Sequence, residues 1–366
     1  MPIFRKIVRG IKKRFVGKGL FFLKHSASVE EPYIQECEEK IRNGEANSLI
    51  SFNEDSPIRG HEAIQSELDR RGIKPAEIHD ISDIDKVSVR LRDLPTAFAL
   101  VYRDFQVNRG LKQGFKELQQ NDLITEPLLT TEPDTGLWDQ LNEYTREKWG
   151  IIKIGFTKVP RQLIFRDKHI LFPYALVFIE EMRKNKIDKA PLAPAGGEAI
   201  RVYARLGNAA NGIARWLRKK GIQCQPQHPM GGITMTTPLA AKAGLGWQGK
   251  QGLLITPEFG VRQRIAPIFI ESPIFEFTDS LEHQWVEDYC GICGLCAKRC
   301  PGNAILDERL VIVSNVEGIG QIRKCTDMMK CFEQFDLHYG CSVCVKVCPF
   351  SQGPGSYERI KSHFEK

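Results

Sequence analysis

Nine of the eleven cysteines in this 366-residue chain lie between Cys290 and Cys348, and their spacing is typical of metal ligation. The first motif is Cys290-x2-Cys293-x2-Cys296-x3-Cys300-Pro301. The two-residue gaps let three thiolates converge on one iron–sulfur cube, whereas the fourth cysteine, ahead of a proline, reaches a second cube. A four-cysteine zinc ribbon has no use for paired runs of this kind. We therefore expect two 4Fe–4S clusters.

The second motif, Cys341-x2-Cys344-x3-Cys348-Pro349, needs one more ligand from upstream. Either Cys331 or Cys325 can supply it, and Cys331 is favoured because a short return leads from it to Gly340 and Cys341. The predicted ligands of one cluster are Cys290, Cys293, Cys296 and Cys348. Those of the other are Cys300, Cys331, Cys341 and Cys344. Two clusters this close in sequence are expected to pass electrons one at a time.

The charge of the chain is concentrated at its beginning. The net charge is +7, yet residues 1–24 alone hold eight Lys and Arg and no acidic residue, so the remainder is nearly neutral. A neutral body argues against nucleic-acid binding by the whole protein. The composition, 42% hydrophobic and 27% charged, is that of a globular protein. No uninterrupted apolar run reaches the roughly 18 residues that a membrane-spanning helix requires.

Residues 1–24 also have helical periodicity. Apolar residues recur with basic residues between them, at Ile3, Phe4, Ile7, Val8, Ile11 and Phe15. This pattern predicts an amphipathic helix that lies either on an anionic membrane surface or on the protein itself. Clustered, unspread cysteines indicate a reducing compartment. We expect a cytoplasmic protein, with peripheral contact to the inner membrane face as one alternative.

The rest of the chain is predicted to position this chemistry with mixed helices and strands. Residues 27–145 favour helices, Ala175–Ile179 indicates a buried strand, and 190–199 indicates a loop rich in Pro, Gly and Ala. A helix over 202–220 should end at Gly221, and 264–271 has strand character. The predicted parts are a basic arm (1–26), a helical region (27–145), an α/β unit (146–275) and a cluster-binding unit (276–366).

Residues 238–274, followed by the two cysteine motifs, resemble the superfamily of corrinoid-dependent reductive dehalogenases and epoxyqueuosine reductases. The resemblance is closer to the reductive dehalogenase-like proteins and covers roughly residues 150–352. It implies an α/β (α+β) fold in which a nitroreductase-like domain binds a base-off corrinoid. A C-terminal domain like that of bacterial ferredoxins would carry the two 4Fe–4S clusters.

The resemblance also implies which residues form the site. Tyr203 matches the proton donor of the dehalogenases, and Arg264 matches the cation that supports it by lowering the cost of a developing phenolate. The implied cofactor-binding residues are Gly244, Gly246, Gly249, Gly252, Thr256 and Pro257. Glycines let the backbone approach a flat macrocycle closely, and their N–H groups could meet its amides and phosphate.

The implied function is that of an iron–sulfur reductase. A ferredoxin- or flavodoxin-type donor would supply electrons, and a corrinoid (cobalamin) would reduce a small organic substrate such as an organohalide. One alternative is an epoxyqueuosine-reductase-like enzyme acting on tRNA, although Met230 or Gly231 stands where those enzymes place a catalytic Asp. Another is a non-catalytic electron-transfer module. His228 and Cys224 are expected to be packing residues.

Overall fold

The computed structural model describes residues 94–166, 168–230, 232–338 and 340–366, together with residues 50–51, 54–58, 66 and 70. The predicted amphipathic arm lies outside the described residues, as do Gly231 and much of the predicted helical region before residue 94.

Helices and strands alternate through the described residues. The helices are α1 (Leu94–Gln119), α2 (Thr135–Trp149), α3 (Lys184–Ile187), α4 (Ala193–Arg218), α5 (Thr236–Lys242), α6 (Trp285–Cys293), α7 (Leu295–Lys298), α8 (Met328–Leu337), α9 (Val343–Val347) and α10 (Ser356–Phe364). The strands are β1 (Ile50–Ser51), β2 (Ile154–Lys158), β3 (His169–Ile170), β4 (Tyr174–Glu181), β5 (Cys224–Pro226), β6 (Trp247–Gln248), β7 (Leu254–Ile255), β8 (Gln263–Ile270), β9 (Ile305–Val316) and β10 (Gly320–Thr326).

A four-stranded sheet with the order β2-β4-β8-β5 forms the centre of the molecule. All three of its ladders are antiparallel, and β4 pairs with β8 along its whole length, from Tyr174 opposite Ile270 to Glu181 opposite Gln263. Helices and strands are thus mixed as predicted, in the α+β form of the expected fold class.

Strand β4 is buried on both faces of this sheet. Ala175, Val177 and Ile179 pack into one hydrophobic core. Leu176 and Phe178 pack into the other, beneath helices α2 and α4. A strand covered on both sides has no polar alternation, which is why the apolar run correctly predicted it.

Helix α4 starts earlier than the sequence suggested. The predicted loop over 190–199 is wrong from Ala193 onward, because α4 begins there. Pro194 is tolerated in a first turn, where its missing N–H would have no partner in any case. Gly196 and Gly197 are buried: Arg103 donates to the Gly197 carbonyl at 2.6 Å, and Gly340 packs directly on Gly196. Tertiary packing therefore overrides the weak helix propensity of this segment.

The C-terminal unit consists of helices α6 to α10 and the antiparallel hairpin β9–β10. It shares a hydrophobic core with the sheet, since Val345, Phe350 and Tyr357 belong to the same buried cluster as Ile179. The buried guanidinium of Arg262 ties the two parts together through the Ser351 carbonyl at 3.0 Å. Within the described part of the chain, no helix combines the length and the apolar character needed to cross a bilayer.

Candidate functional site

Four cysteines gather beside the sheet, and we call them the Cys290 group: Cys290 and Cys293 on α6, Cys296 on α7, and Cys348 directly after α9. Gly294, with φ of +57°, turns the chain between α6 and α7 and so brings Cys296 back toward Cys290. Burial, and then the nearby thiols of Cys296 and Cys293, raise the pKa of Cys290 to about 11. Burial likewise raises the pKa of Cys348, with contributions from the other three thiols. The four thiols are thus mutual neighbours.

A second set, the Cys331 group, consists of Cys300, Cys331, Cys341 and Cys344. Burial raises the pKa of Cys344 to about 12, and the thiols of Cys331 and Cys341 add to this effect. Cys331 is at the surface. Its pKa is raised by burial of the thiol and then by Cys300 and Cys341.

The position of Cys325 differs from that of Cys331. Cys325 is only 4% exposed, its thiol donates to the Arg323 carbonyl at 3.4 Å, and its neighbouring thiol is that of Cys296. Of the two alternatives for the last ligand, the structure brings Cys331 and not Cys325 to Cys300, Cys341 and Cys344.

Backbone N–H groups point at the sulfurs of both groups. The N–H of Ala304 donates to the Cys300 thiol at 3.3 Å. Similar bonds run from Lys250 to Cys290, Ala297 to Cys296, Val343 to Cys341 and Phe350 to Cys348. Hydrogen bonds of this kind stabilise thiolate charge and tune iron–sulfur clusters. The donor set, eight thiols in two groups of four, fits two such clusters.

All ten cysteines of the described chain are free thiols. Over the same residues, no three or more His, Cys, Asp or Glu side chains are arranged to hold a single metal ion.

The two predicted catalytic residues meet. Tyr203 lies on α4 and Arg264 on β8, and the guanidinium carbon of Arg264 is 4.9 Å from the centroid of the Tyr203 ring. This is cation–π geometry. The Arg264 Nε atom is buried and, among the described residues, has no hydrogen-bond partner. The ring of Tyr203 packs beside Val107, Leu111 and Met230.

The glycine-rich loop is held by its own hydrogen bonds. The N–H groups of Gly244, Gly249 and Gly252 donate to the carbonyls of Ala241, Leu253 and Gly249 at 3.0, 2.9 and 2.9 Å. These three N–H groups are therefore engaged within the protein, contrary to the expectation that they meet a cofactor.

Close packing also explains why glycine is required in this loop. A Cβ atom on Gly246 would lie 2.0 Å from the Ile255 carbonyl oxygen, and one on Gly244 would lie 2.3 Å from the Thr278 carbonyl oxygen. Thr256 is fully buried and exchanges two backbone hydrogen bonds of 2.9 Å with Gly260, which closes the turn that contains Pro257. The glycines thus shape the loop rather than open it.

Two buried amide atoms beside this loop remain without a partner in the described chain, Nε2 of Gln251 and Oε1 of Gln263. The other amide atom of Gln263, Nε2, donates to the Leu254 carbonyl at 2.6 Å, so this side chain is fixed against β7. A buried polar atom without a partner is costly. The amide substituents of a corrinoid could satisfy both atoms, so the fit to such a cofactor rests on side chains rather than on glycine N–H groups.

A charge network beside the Cys290 group was not predicted. Glu287 accepts from Arg309 at 3.1 Å and from the indole Nε1 of Trp247 at 3.3 Å, and it also pairs with Arg323. We call Glu287, Arg309, Arg323 and Trp247 the Glu287 network. The sequence feature that could have revealed Glu287 is its position one helical turn before Cys290. The arginines come from the hairpin between the two cysteine motifs, whose register the sequence does not reveal.

Residues 289–351 match the family described as the 4Fe-4S double cluster binding domain. The tetrachloroethene reductive dehalogenase of Sulfurospirillum multivorans is 29% identical over 175 residues, or 47% of this chain and 34% of that protein. The epoxyqueuosine reductase of Listeria monocytogenes is 29% identical over 213 residues, or 54% of this chain and 52% of that protein. The chain is related to both groups. The match confirms the predicted double-cluster domain.

The fold has solved counterparts. A catabolic reductive dehalogenase, NpRdhA, in complex with 3-bromo-4-hydroxybenzoic acid superimposes with a TM-score of 0.53 at 19% identity, over 71% of this chain and 42% of that one. A reductive dehalogenase structure whose description concerns B12-dependent dehalogenation gives a TM-score of 0.52 at 19% identity, over 72% of this chain and 41% of that one. At these identities the likeness establishes the fold. The present chain spans about half the length of the relatives it matches, or less.

Proposed function

We propose that this protein is a reductive dehalogenase-like enzyme that passes single electrons through two 4Fe–4S clusters to a base-off corrinoid. Its substrate is a small organic molecule with a reducible bond, such as an organohalide. The contact between Tyr203 and Arg264 is the observation that carries the proposal beyond electron transfer. From the resemblance alone, Tyr203 is the predicted proton donor and Arg264 its supporting cation, and the two residues lie 61 positions apart in sequence.

In this proposal Tyr203 holds the proton that the reduced substrate receives. Loss of the proton leaves a phenolate, and a cation over the ring stabilises that charge. The guanidinium of Arg264 is fixed by donation to the Gln263 carbonyl at 3.3 Å, so the cation is in place before the proton moves. Preorganised charge of this kind favours the transition state because it needs no rearrangement.

A corrinoid, when bound, would supply the cobalt chemistry that breaks the reducible bond. The residues that would hold it are those of the glycine-rich loop, with the unpartnered amides of Gln251 and Gln263. The Cys290 group lies against the same loop, because the Lys250 N–H donates to the Cys290 sulfur. This contact supports a cluster in the Cys290 group as the last electron carrier before the cofactor.

Electrons would come from a ferredoxin- or flavodoxin-type donor, because a 4Fe–4S cluster exchanges one electron at a time. The Cys331 group, with Cys331 itself at the surface, is the more accessible entry point. Residues 1–24 remain a proposed peripheral contact with a membrane surface.

The first experiment is an assay of iron, acid-labile sulfide and cobalt on protein purified anaerobically from cells supplied with cobalamin. About eight iron atoms and about one cobalt per chain are expected, as two cubanes and one corrinoid require. Electron paramagnetic resonance (EPR) should show base-off Co(II). Activity is then assayed with 3-bromo-4-hydroxybenzoic acid as a halogenated probe. Eight iron atoms without cobalt would instead favour the non-catalytic electron-transfer module.

The second candidate is an enzyme related in activity to epoxyqueuosine reductases. Two half-exposed arginines, each paired with a buried glutamate, favour it. Arg183 pairs with Glu198 and is 50% exposed, and Arg205 pairs with Glu180 and is 53% exposed. The positive charges of Arg183 and Arg205 could contact the phosphate backbone of an RNA. Consumption of an epoxyqueuosine-containing tRNA stem-loop, with no turnover of the halogenated probe, would replace the first proposal with this one.

A further inference from the structure

The Glu287 network lies directly against the Cys290 group. Glu287 precedes Cys290 by one turn of α6, and Trp247, which donates to Glu287, precedes the loop residue Lys250 whose N–H donates to the Cys290 sulfur. Arg323 is linked to the group as well, since its carbonyl accepts from Cys325, a neighbour of Cys296. The network therefore borders the thiols through both Glu287 and Arg323.

This network carries a net positive charge that is partly shielded from water. It contains two arginines and one glutamate, and the exposed fractions of the three side chains are 16% for Arg309, 23% for Glu287 and 30% for Arg323. Partly buried charges are screened less by salt than exposed ones. Arg309 donates to Glu287 at 3.1 Å, and Glu287 lies one helical turn before Cys290, so this cation lies close to a predicted cluster ligand.

The Cys331 group has a different electrostatic setting. Asp327 lies one helical turn before Cys331, and the Cys331 N–H donates to the Asp327 carbonyl at 3.0 Å. Asp327 is also the N-terminal cap of α8, since its Oδ1 accepts from the N–H groups of Met329 and Lys330 at 3.1 Å each. Lys330 pairs with Asp327 at 3.8 Å, so the charges beside Cys331 are balanced, whereas those of the Glu287 network are net positive.

We infer that the Glu287 network and Asp327 set the potentials of the two clusters apart, so that the cluster of the Cys290 group is the stronger electron acceptor. Reduction of a cluster adds one electron and hence one negative charge, and no bond forms or breaks. A neighbouring cation stabilises the reduced cluster and an anion destabilises it. The electron from the external donor therefore moves from the Cys331 group to the Cys290 group, toward the glycine-rich loop. This inference rests on the two clusters of the proposed function but not on the corrinoid.

The test is an anaerobic redox titration followed by EPR on the full chain, purified without cobalamin. Glu287→Gln removes the anion of the network and is expected to raise one of the two midpoint potentials. Arg309→Gln removes a cation and is expected to lower the same potential, and Arg323→Gln serves as the second cation variant if Arg309→Gln loses iron. Asp327→Asn keeps the helix cap and is expected to raise the other potential. Asp188→Asn, which breaks an exposed pair with Lys184, is the control and should move neither.

Opposite shifts are the decisive result, because damage to the structure would move the acidic and basic variants in the same direction. The inference is overturned if Glu287→Gln and Arg309→Gln shift the potential alike, or if neither differs from Asp188→Asn. It is also overturned if Asp327→Asn and Glu287→Gln move the same cluster. A protein that takes up no cobalt from cells supplied with cobalamin, but shows the opposite shifts in this titration, would contradict the corrinoid proposal and leave this inference standing.

Discussion

Tyr203 combines a position beside a fixed cation with a hydroxyl group that can release a proton. Tyr203→Phe keeps the ring and its contact with Arg264 but removes that proton. We expect turnover of the halogenated probe to fall by about 10²- to 10⁴-fold, the usual contribution of a positioned proton donor. Iron and cobalt contents should not change. Tyr144→Phe is the matched control, because the Tyr144 hydroxyl lies on α2 and only donates to the Gly212 carbonyl at 3.4 Å. Unchanged turnover in Tyr203→Phe would remove the proton-donor role.

Serine variants of Cys331 and Cys325 test which of the two cysteines is a cluster ligand. Cys331→Ser should remove one ligand of the Cys331 group, and we expect the iron content to fall from about eight to about four atoms per chain. Cys325→Ser should keep about eight, because Cys325 lies apart from Cys300, Cys341 and Cys344. Iron and sulfide analysis after anaerobic purification measures both. The reverse pattern would make Cys325 the fourth ligand, as the sequence alone allowed.

At the scale of helices and strands, the sequence predicted what depends on local patterns. The apolar run at Ala175–Ile179 identified β4, and the cysteine spacing identified both thiol groups. The loop predicted at Ala193–Ala199 is wrong because its glycines are packed in the helix by contacts with Arg103 and Gly340, which are distant in sequence. The Glu287 network was missed for the same reason, since its four members come from four separate elements. The glycines of the loop were located correctly, but their packing partners could not be read from the sequence.

The crossing of α1 and α4 depends on glycines that admit the buried side chain of His228. A Cβ atom on Gly207 would lie 2.1 Å from the His228 ring, and one on Gly110 would lie 3.2 Å from it. Burial lowers the pKa of His228 to about 3, so the ring packs as a neutral group, in keeping with the predicted packing role. Gly207→Ala should therefore force the helices apart and cost about 1–3 kcal/mol of unfolding free energy.

A double variant tests whether His228 is the cause. His228→Ala removes the ring that the new methyl group would meet, so Gly207→Ala should cost clearly less in that background, as coupled neighbours do. Urea unfolding of anaerobic protein measures each free energy. Gly291→Ala is the control: a Cβ atom there meets nothing within 4 Å, and an alanine in α6 should be neutral or stabilising. Equal costs of Gly207→Ala in both backgrounds would show that the ring is not responsible.

Considered as a whole, the molecule joins its Cys290 group to the sheet that carries Arg264 by sharing one core between the sheet and the C-terminal unit. Cys290 and Cys348 are buried in the same cluster as residues of β4 and α5. Phe350 and Ser351, which follow Cys348 and Pro349, touch the turn before β8. Strand β8 carries Arg264, two residues after Arg262. The position of the Cys290 group relative to Tyr203 is thus set by packing rather than by a linker.

Arg262 is the polar link in this arrangement, and it should stabilise both parts together. Its guanidinium donates to the Ser351 and Met182 carbonyls at 3.0 Å each and pairs with Glu181, while the side chain is only 5% exposed. Arg262→Gln should cost about 3 kcal/mol of unfolding free energy, because two buried carbonyls lose charged donors. Lys184→Gln, which removes an exposed ion pair, should cost at most about 1 kcal/mol.

The unfolding curves of these two variants also report whether the molecule is one cooperative unit. With a continuous core, Arg262→Gln should shift a single transition in urea, seen alike by cluster absorbance and by tryptophan fluorescence. Loss of the cluster signal before the fluorescence change would mean that the C-terminal unit detaches first and that the shared core does not couple the two parts. A single transition at a lower urea concentration would mean that the buried arginine and the shared core together fix the clusters beside the active site.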